Sequence, residues 1–222
     1  MEPNALYNGG AFLPAPDERN TNKRSIQLIG NYSNGALIIL IILLDPKSKG
    51  NIILQNNDPL KIVLPDYKML QNSQDLELIK SVYKNYIKNI ASAFSKIDPQ
   101  YQLISPSVDI IDNDELLEQF IIDNISNTYN QQSSLIMAPY NRGGVVDNLG
   151  RVYGVNNLIV ADCSIIPSTT DGNTQATSYL IGYTIAKQLI AEDQIYLSPQ
   201  SYPNYTYYFH QRNIDKGKAS LI

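Results

Sequence analysis

A wholly apolar segment at residues 36–44 is the feature that most constrains the fold of this chain. It is too short to span a bilayer as a helix, which takes about 20 residues, so we interpret it as a buried β-strand and predict no membrane association. Asn34 and Gly35 precede it, and this pair is typical of hairpin turns because both residues tolerate positive φ. Residues 25–32 are then the antiparallel partner. A turn at 45–50 leads into a third predicted strand, 51–55, which indicates a meander.

Helices are predicted after the strands. Asp75 is the expected N-cap of the first helix, whose apolar face repeats at spacings of three and four and comprises Leu76, Ile79, Tyr83, Ile87, Ile90 and Phe94. Asn113 is the expected N-cap of the second, whose inward-facing residues are Leu116, Leu117, Phe120 and Ile121. A third helix runs from about Thr174 to Ala191. The predicted fold class is α+β, an antiparallel β-sheet flanked by helices.

Composition excludes some classes of protein. With 222 residues and 43% apolar content, the chain buries a real core and is not disordered. A formal net charge of -4 does not support a broad nucleic-acid-binding surface. Cys163 is the sole cysteine, so no internal disulfide forms, and the N-terminal residues lack the pattern of a secretion signal. We therefore predict a reducing compartment.

The segment from Arg151 to Ile190 reads RVYGVNNLIVADCSIIPSTTDGNTQATSYLIGYTIAKQLI. Upstream of it stand Tyr129-Asn130, Ser133-Ser134, Met137 and Val145-Val146-Asp147. Together they resemble the C-terminal signature of glucose-methanol-choline (GMC) type flavin oxidoreductases. Further matches in the same order, at residues 10–13, 44–50 and 114–116, extend the resemblance over most of residues 9–191.

The resemblance implies two polar catalytic positions. The family's catalytic base is a histidine that follows a tyrosine, and here that place is taken by Asn130, with the family's Gly-Thr pair falling on Ser133 and Ser134. A histidine accepts the alcohol proton near neutral pH, whereas an asparagine amide cannot. The chain's single histidine, His210, lies in the tail. The second catalytic position falls on Asn173, and asparagine is one of its two usual occupants in the family.

The family's cofactor is FAD. The resemblance places Asp162, Cys163, Asn173, Thr174, Gln175 and Ala176 beside the isoalloxazine ring, at a strand end and a helix start. Taken without the resemblance, Asp162 is a turn residue, Cys163 is a buried filler, and 171–173 is only a turn before a helix. The Gly-rich fingerprint that cradles a dinucleotide pyrophosphate is not found in the sequence, so we predict that this chain alone does not bind FAD.

These observations predict an N-terminal tail at 1–8, a GMC substrate-binding-like domain at 9–149, a strand-loop-helix at 150–192 that completes the FAD domain in full-length relatives, and a Tyr-rich tail at 193–222. We interpret the chain as a truncated, catalytically inactive homologue with a structural or interaction role. The alternative is the C-terminal subunit of a split FAD-dependent alcohol oxidase or dehydrogenase, and a third interpretation is a ligand-binding module without chemistry.

The predicted partners follow from the same resemblance. They are a separate FAD-domain chain, another GMC-type protein, or a second copy of this chain, because an uncovered apolar face invites association. The abundance of Asn, Ile, Lys and Tyr, with no Trp, is similar to the composition of giant DNA viruses of the mimivirus type, whose GMC-type proteins are associated with virions. We therefore expect the protein in virions or the host cytoplasm.

Overall fold

The computed structural model describes residues 9–20, 22–33 and 35–197. The predicted tail at 1–8, Asn34 of the predicted turn, His210 and the part of the predicted tail after residue 197 lie outside the described residues. The chain divides into two compact units. The first comprises residues up to Asn130 together with Ser168–Asn173, and the second comprises Gln131–Pro167 and the residues from Thr174 onward. Within the described residues, no helix has the length and apolar content needed to cross a bilayer.

The first unit is built on a three-stranded antiparallel sheet in the order β1 (Gly9–Leu13), β2 (Ile26–Ser33) and β3 (Ala36–Leu43). The predicted hairpin between the second and third of these strands is confirmed, with Ile29 opposite Leu40. One face of this sheet packs on the core through Ile26 and Leu28, which are buried. The α+β class predicted from the sequence is therefore confirmed, with antiparallel pairing throughout the named strands.

The predicted meander is wrong in its third strand. β4 (Asn51–Ile53) pairs with β5 (Leu64–Asp66) in a separate two-stranded sheet, and β1, which was not predicted, pairs with β2 instead. The preceding turn explains the difference, because the backbone N–H groups of Lys47 and Ser48 donate to the carboxylate of Asp75. This contact ties the chain to the start of a helix and directs it away from β3.

The helices of the first unit are α1 (Ser73–Val82), a π-helical turn at Tyr83–Ile87, α2 (Lys88–Ile97), α3 (Val108–Asp112) and α4 (Asp114–Asn124). Asp75 is not the N-cap of the first helix, because Asn72 accepts from the N–H of Gln74 at 2.9 Å and so takes that role. Asp75 lies inside the helix and is buried. The prediction missed this because both residues are good caps, and the contact with Lys47 and Ser48 is not local.

Asn113 is the N-cap of α4, as predicted, since its Oδ1 accepts from the N–H groups of Glu115 and Leu116. Of the four residues predicted to face inward, Leu117 and Ile121 are buried beside Ile79 and Ile111, and Phe120 packs edge-on against Tyr83. Leu116 was predicted wrongly, because its side chain is 52% exposed. It stands at the edge of a narrow apolar stripe.

Lys80 is a buried cation in the first unit, with its Nζ 3.4 Å from Glu77 Oε1 and 3.7 Å from both Asp114 Oδ2 and Glu118 Oε2. Burial by itself lowers the pKa of an ammonium, but the hydrogen bond to Glu77 and the charges of the three carboxylates outweigh it and raise the pKa of Lys80. The pKa of Asp114 is lowered, mainly by its hydrogen bond from Lys84.

This network predicts a loss of stability at both ends of the pH scale. A raised pKa means that the contribution of Lys80 is present at neutral pH and is lost as pH rises through the alkaline range, above about pH 10. A lowered pKa means that the contribution of Asp114 is lost as pH falls below about 4. In urea-unfolding midpoints measured against pH, Lys80→Met should weaken the alkaline dependence, whereas Lys96→Met, at an exposed lysine, should leave it unchanged. Equal effects of the two substitutions would contradict this assignment.

The second unit has a small core of Val146, Ile165 and Ile185, with Ile181 and Leu189 packed against it. The strand predicted within 150–192 is not a regular strand, since Ile159 forms one isolated bridge with Arg151 and Val146 bridges both Met137 and Val152. α5 (Gln175–Leu197) continues beyond the predicted end at Ala191 and through the start of the predicted tail at 193. The apolar residues of this helix occur on all of its sides, so the spacing of apolar residues does not indicate where the helix ends.

The boundary between the two units differs from the predicted one. The sequence places 131–149 with the first domain, but in the structure these residues pack with those after 150. The N–H groups of Leu135 and Met137 donate to the carbonyl groups of Ser164 and Ile165, at 2.9 and 2.8 Å. These bonds join segments that are far apart in the sequence, which is why local patterns do not reveal the boundary.

Candidate functional site

Two asparagine side chains meet in the first unit. Asn130 follows Tyr129, which has a left-handed backbone conformation with φ of 57°. Nδ2 of Asn130 lies 2.9 Å from the carbonyl oxygen of Thr128, 3.2 Å from the Thr128 hydroxyl and 3.4 Å from Oδ1 of Asn173. The structure thus brings together the two residues that the sequence singles out as catalytic positions, although they are separated by 43 residues.

The chemistry of this pair follows from its groups. An amide nitrogen donates hydrogen bonds and an amide oxygen accepts them, but neither takes up a proton near neutral pH. The three acceptors around Nδ2 of Asn130 orient its amide plane. The pair can therefore orient a hydroxyl or carbonyl group by hydrogen bonding, but it does not supply a general base.

Asn173 stands at the end of a loop, 168–173, that belongs to the first unit. The Thr170 hydroxyl donates to the carbonyl of Gly172 at 2.8 Å, and the Thr169 hydroxyl lies 3.4 Å from Oδ1 of Asp45. A side chain added at Gly172 would lie 3.7 Å from the ring of Phe12. Phe12 on β1 is therefore a neighbour of this turn, which sequence reasoning missed because no local pattern connects the two.

The other predicted site residues lie in the second unit. Asp162 caps a 3-10 turn (Cys163–Ile165) by accepting from the N–H of Ser164 at 2.8 Å, as expected of a turn residue. Cys163 is half-buried, with its Sγ 3.7 Å from the carbonyl oxygen of Thr174. Thr174 is buried, whereas Gln175 and Ala176 are exposed at the start of α5. This arrangement leaves backbone N–H groups at the first turn of a long helix, a position suited to electron-rich atoms of a ligand.

α5 also carries an exposed apolar face. Tyr179, Leu180 and Tyr183 are 73%, 64% and 63% exposed, while Ile181 and Ile185 on the opposite side contact the core. Apolar exposure on this scale on one helix is typical of a surface that another chain or domain covers. Among the described residues, no cluster of His, Cys, Asp and Glu is arranged to bind a metal ion.

Ser133, in the second unit, offers a test of backbone strain. Its φ is 68°, a conformation that favours glycine, and the resemblance places a glycine here. Its buried hydroxyl has no hydrogen-bond partner among the described residues. Ser133→Gly should therefore raise the free energy of unfolding by about 1 kcal/mol. Ser134→Gly, at a neighbour without positive φ, should instead lower it by about 0.5 kcal/mol. Urea unfolding of the two variants measures the difference, and destabilisation by both would show that Ser133 is not strained.

Comparison with known proteins identifies the family of the chain. The sequence profile described as GMC oxidoreductase matches residues 46–182, which is more than half of the 222 residues. The chain is 30% identical over 169 residues to pyranose dehydrogenase 3 of Leucoagaricus meleagris, which covers 75% of the chain and 27% of that relative. It is 27% identical over 155 residues to the oxygen-dependent choline dehydrogenase of Citrobacter koseri, which covers 70% of the chain and 27% of that relative.

Solved structures share the fold. A fungal aryl-alcohol oxidase superposes with a TM-score of 0.65 at 23% identity, covering 79% of this chain and 29% of the other. A pyridoxine 4-oxidase from Mesorbium loti superposes with a TM-score of 0.66 at 18% identity, covering 82% of this chain and 37% of the other. The chain thus spans about a quarter of the length of the curated relatives it matches and about a third of these structures.

Proposed function

Because this chain belongs to the GMC oxidoreductase family, we propose that it is a catalytically silent member with a structural or interaction role. The observation that carries the proposal is the pairing of Asn130 with Asn173 at 3.4 Å. Oxidation of an alcohol removes a hydride from carbon and a proton from oxygen, and the proton needs an acceptor. Neither amide is one, so the pair binds a hydroxyl without ionising it.

The proposal extends to the cofactor. FAD, when bound, supplies the hydride acceptor of this family's chemistry. We assign Asp162, Cys163, Thr174, Gln175 and Ala176 of the second unit to the flavin ring, with the N–H groups at the start of α5 as donors. These residues would bind only the flavin end of FAD. Without a Gly-rich turn for the pyrophosphate, the 222 residues should not retain FAD by themselves.

A split enzyme is the second candidate function. The exposed face of α5, with Tyr179, Leu180 and Tyr183, favours it, because a flavin-binding chain would cover these side chains. We propose that the silent protein is a structural protein associated with virions. Proteomics of purified virions would test this location.

The visible absorption spectrum of the purified chain tests the proposal. Folded protein should show no flavin band when expressed alone, and a stoichiometric band would contradict the proposed dependence on another chain. The same spectrum is then recorded after co-expression with the N-terminal, flavin-binding half of a GMC relative. If that complex binds flavin, it should still not reduce the flavin on addition of an alcohol.

Asn130→His then separates the two candidate functions. In a flavin-containing complex, this substitution should increase the rate of flavin reduction by an alcohol by 10²- to 10⁴-fold, on the order expected for a positioned general base. Asn130→Gln, which retains an amide, is the matched control and should give no increase. Rapid reduction by the unsubstituted complex would show that the site is not silent and would favour the split enzyme.

A further inference from the structure

The hairpin formed by β4 and β5, residues 51–66 of the first unit, carries an exposed apolar surface. Its strands place Ile53 opposite Leu64, and every residue from 51 to 65 is exposed. Within the part of the chain that the structure describes, no residue of this hairpin belongs to a buried apolar cluster. A two-stranded hairpin without a packed face is at best marginally stable in water, so this one gains stability from whatever covers it.

The apolar area of the hairpin is sufficient for a dimer. Seven of its exposed side chains are Ile, Leu or Val, with exposed fractions from 38% to 90%, and the most exposed are Leu54, Leu60 and Ile62. Covering such a side chain fully removes on the order of 100 Å² from water, so the seven leave roughly 400 Å² on one chain and about 800 Å² on two. Apolar atoms make up about 65% of a homodimer interface, so the whole contact buries roughly 1,200 Å². Specific interfaces begin at about this size.

The tip of the hairpin carries one charge of each sign. A turn places Asp58 and Lys61 together, since the N–H of Lys61 donates to the carbonyl oxygen of Asp58 at 3.1 Å and the N–H of Leu60 donates to Oδ1 of Asp58 at 3.0 Å. Neither charge forms an ion pair with another described residue. No other charged residue occurs in 51–65, so the apolar surface is neutral and has one cation and one anion at its tip.

We propose that this hairpin is the contact between two copies of the chain. A twofold axis makes the same surface meet itself, so Lys61 of each copy lies opposite Asp58 of the other and both charges are paired. The exposed leucine and isoleucine side chains pack against one another beside these pairs. The contact lies outside the asparagine pair and the flavin-binding residues, so it goes beyond the proposed function and does not depend on it.

Sedimentation velocity of the full chain over a range of concentrations tests the contact. We expect a dimer at about 100 μM that dissociates on dilution, as is typical of an interface of this size. Ile62→Gln should raise the dissociation constant at least about tenfold, because the lost apolar contact occurs twice in the dimer. Ile97→Gln is the matched control, since Ile97 is 80% exposed against 79% for Ile62 but lies outside the hairpin. It should leave the dissociation constant unchanged.

Charge reversal tests which groups face each other. Asp58→Lys and Lys61→Asp each place like charges across the twofold axis, so each variant alone should be monomeric where the unsubstituted chain is a dimer. An equimolar mixture of the two variants restores both opposite-charge pairs and should form a heterodimer. Such a mixture also distinguishes lost pairing from lost folding, since a misfolded variant would not associate specifically.

Thermal unfolding checks each variant, and Leu60→Gln replaces Ile62→Gln if the latter does not fold. The proposal would be overturned by a chain that is monomeric up to about 100 μM, or by a dimer that Ile62→Gln and Ile97→Gln affect equally. A mixture of the two charge variants that stays monomeric would also overturn it. A hairpin that instead binds the flavin-binding half of a GMC relative, with the chain alone monomeric, would assign the surface to another partner and contradict the proposal. Flavin retention plays no part in the sedimentation of the chain alone, so the test of the proposed function stays separate.

Discussion

Gly144→Ala should unfold or severely destabilise the second unit. A side-chain carbon at this position would lie 1.9 Å from the carbonyl oxygen of Ala138 and 2.5 Å from its carbonyl carbon, so the backbone itself must move. The N–H of Ala138 is 3.3 Å from the carbonyl oxygen of Val146, which is fully buried in the core of that unit. Overpacking against a backbone that the core restrains should cost about 3 kcal/mol or more.

Gly143→Ala is the matched control for this prediction. No atom lies within 4 Å of a side-chain carbon added there, and only its φ of 79° opposes the substitution. The cost should be about 1 kcal/mol. Hydrogen exchange followed by mass spectrometry should show loss of protection in peptides from 131–167 for Gly144→Ala and near-normal protection for Gly143→Ala. Similar protection in both variants would contradict the close packing at Gly144.

Asp75→Ala should produce the second large loss of stability. The carboxylate is buried and accepts from the N–H of Lys47 at 2.8 Å and from the N–H of Ser48 at 2.7 Å. Hydrogen bonds to a charged group contribute roughly 1.5 to 3 kcal/mol each, and alanine leaves both donors without this acceptor. We expect the free energy of unfolding to fall by about 3 kcal/mol, with faster amide exchange at Lys47 and Ser48 in NMR spectra.

Two further variants test whether the buried hydrogen bonds of Asp75 are the reason for this loss of stability. Asp75→Asn keeps the volume and one acceptor, but directs an NH2 group toward one of the two donors, so it should recover only part of the loss. Glu77→Ala removes a carboxylate that is 66% exposed on the same helix, and it should cost less than about 1 kcal/mol. A loss for Glu77→Ala as large as that for Asp75→Ala would show that the buried contact is not the reason.

Local sequence patterns predict the structure correctly where the contacts that form it are local. The hairpin of β2 and β3 follows from an apolar run behind an Asn-Gly turn, and the start of α4 follows from Asn113, whose side chain binds N–H groups two and three residues away. The same local signal misleads at Asp75, because a carboxylate near a helix start is suited both to capping and to a buried contact with a distant turn. β4 illustrates the same limit, since its partner is set by a turn anchored to α1.

The sequence likewise predicts only part of the candidate site. The order of motifs along the sequence is sufficient to identify the family, since such motifs depend on residue type and spacing, and it predicts that Asn130 and Asn173 take the family's two polar positions. Only the tertiary structure shows that Nδ2 of Asn130 lies 3.4 Å from Oδ1 of Asn173 and that Phe12 adjoins the turn before Asn173. Residue types determine which hydrogen bonds and proton transfers are available. Which groups meet is decided by strand pairing and core packing between segments distant in the chain, and these contacts leave no periodic trace in the sequence.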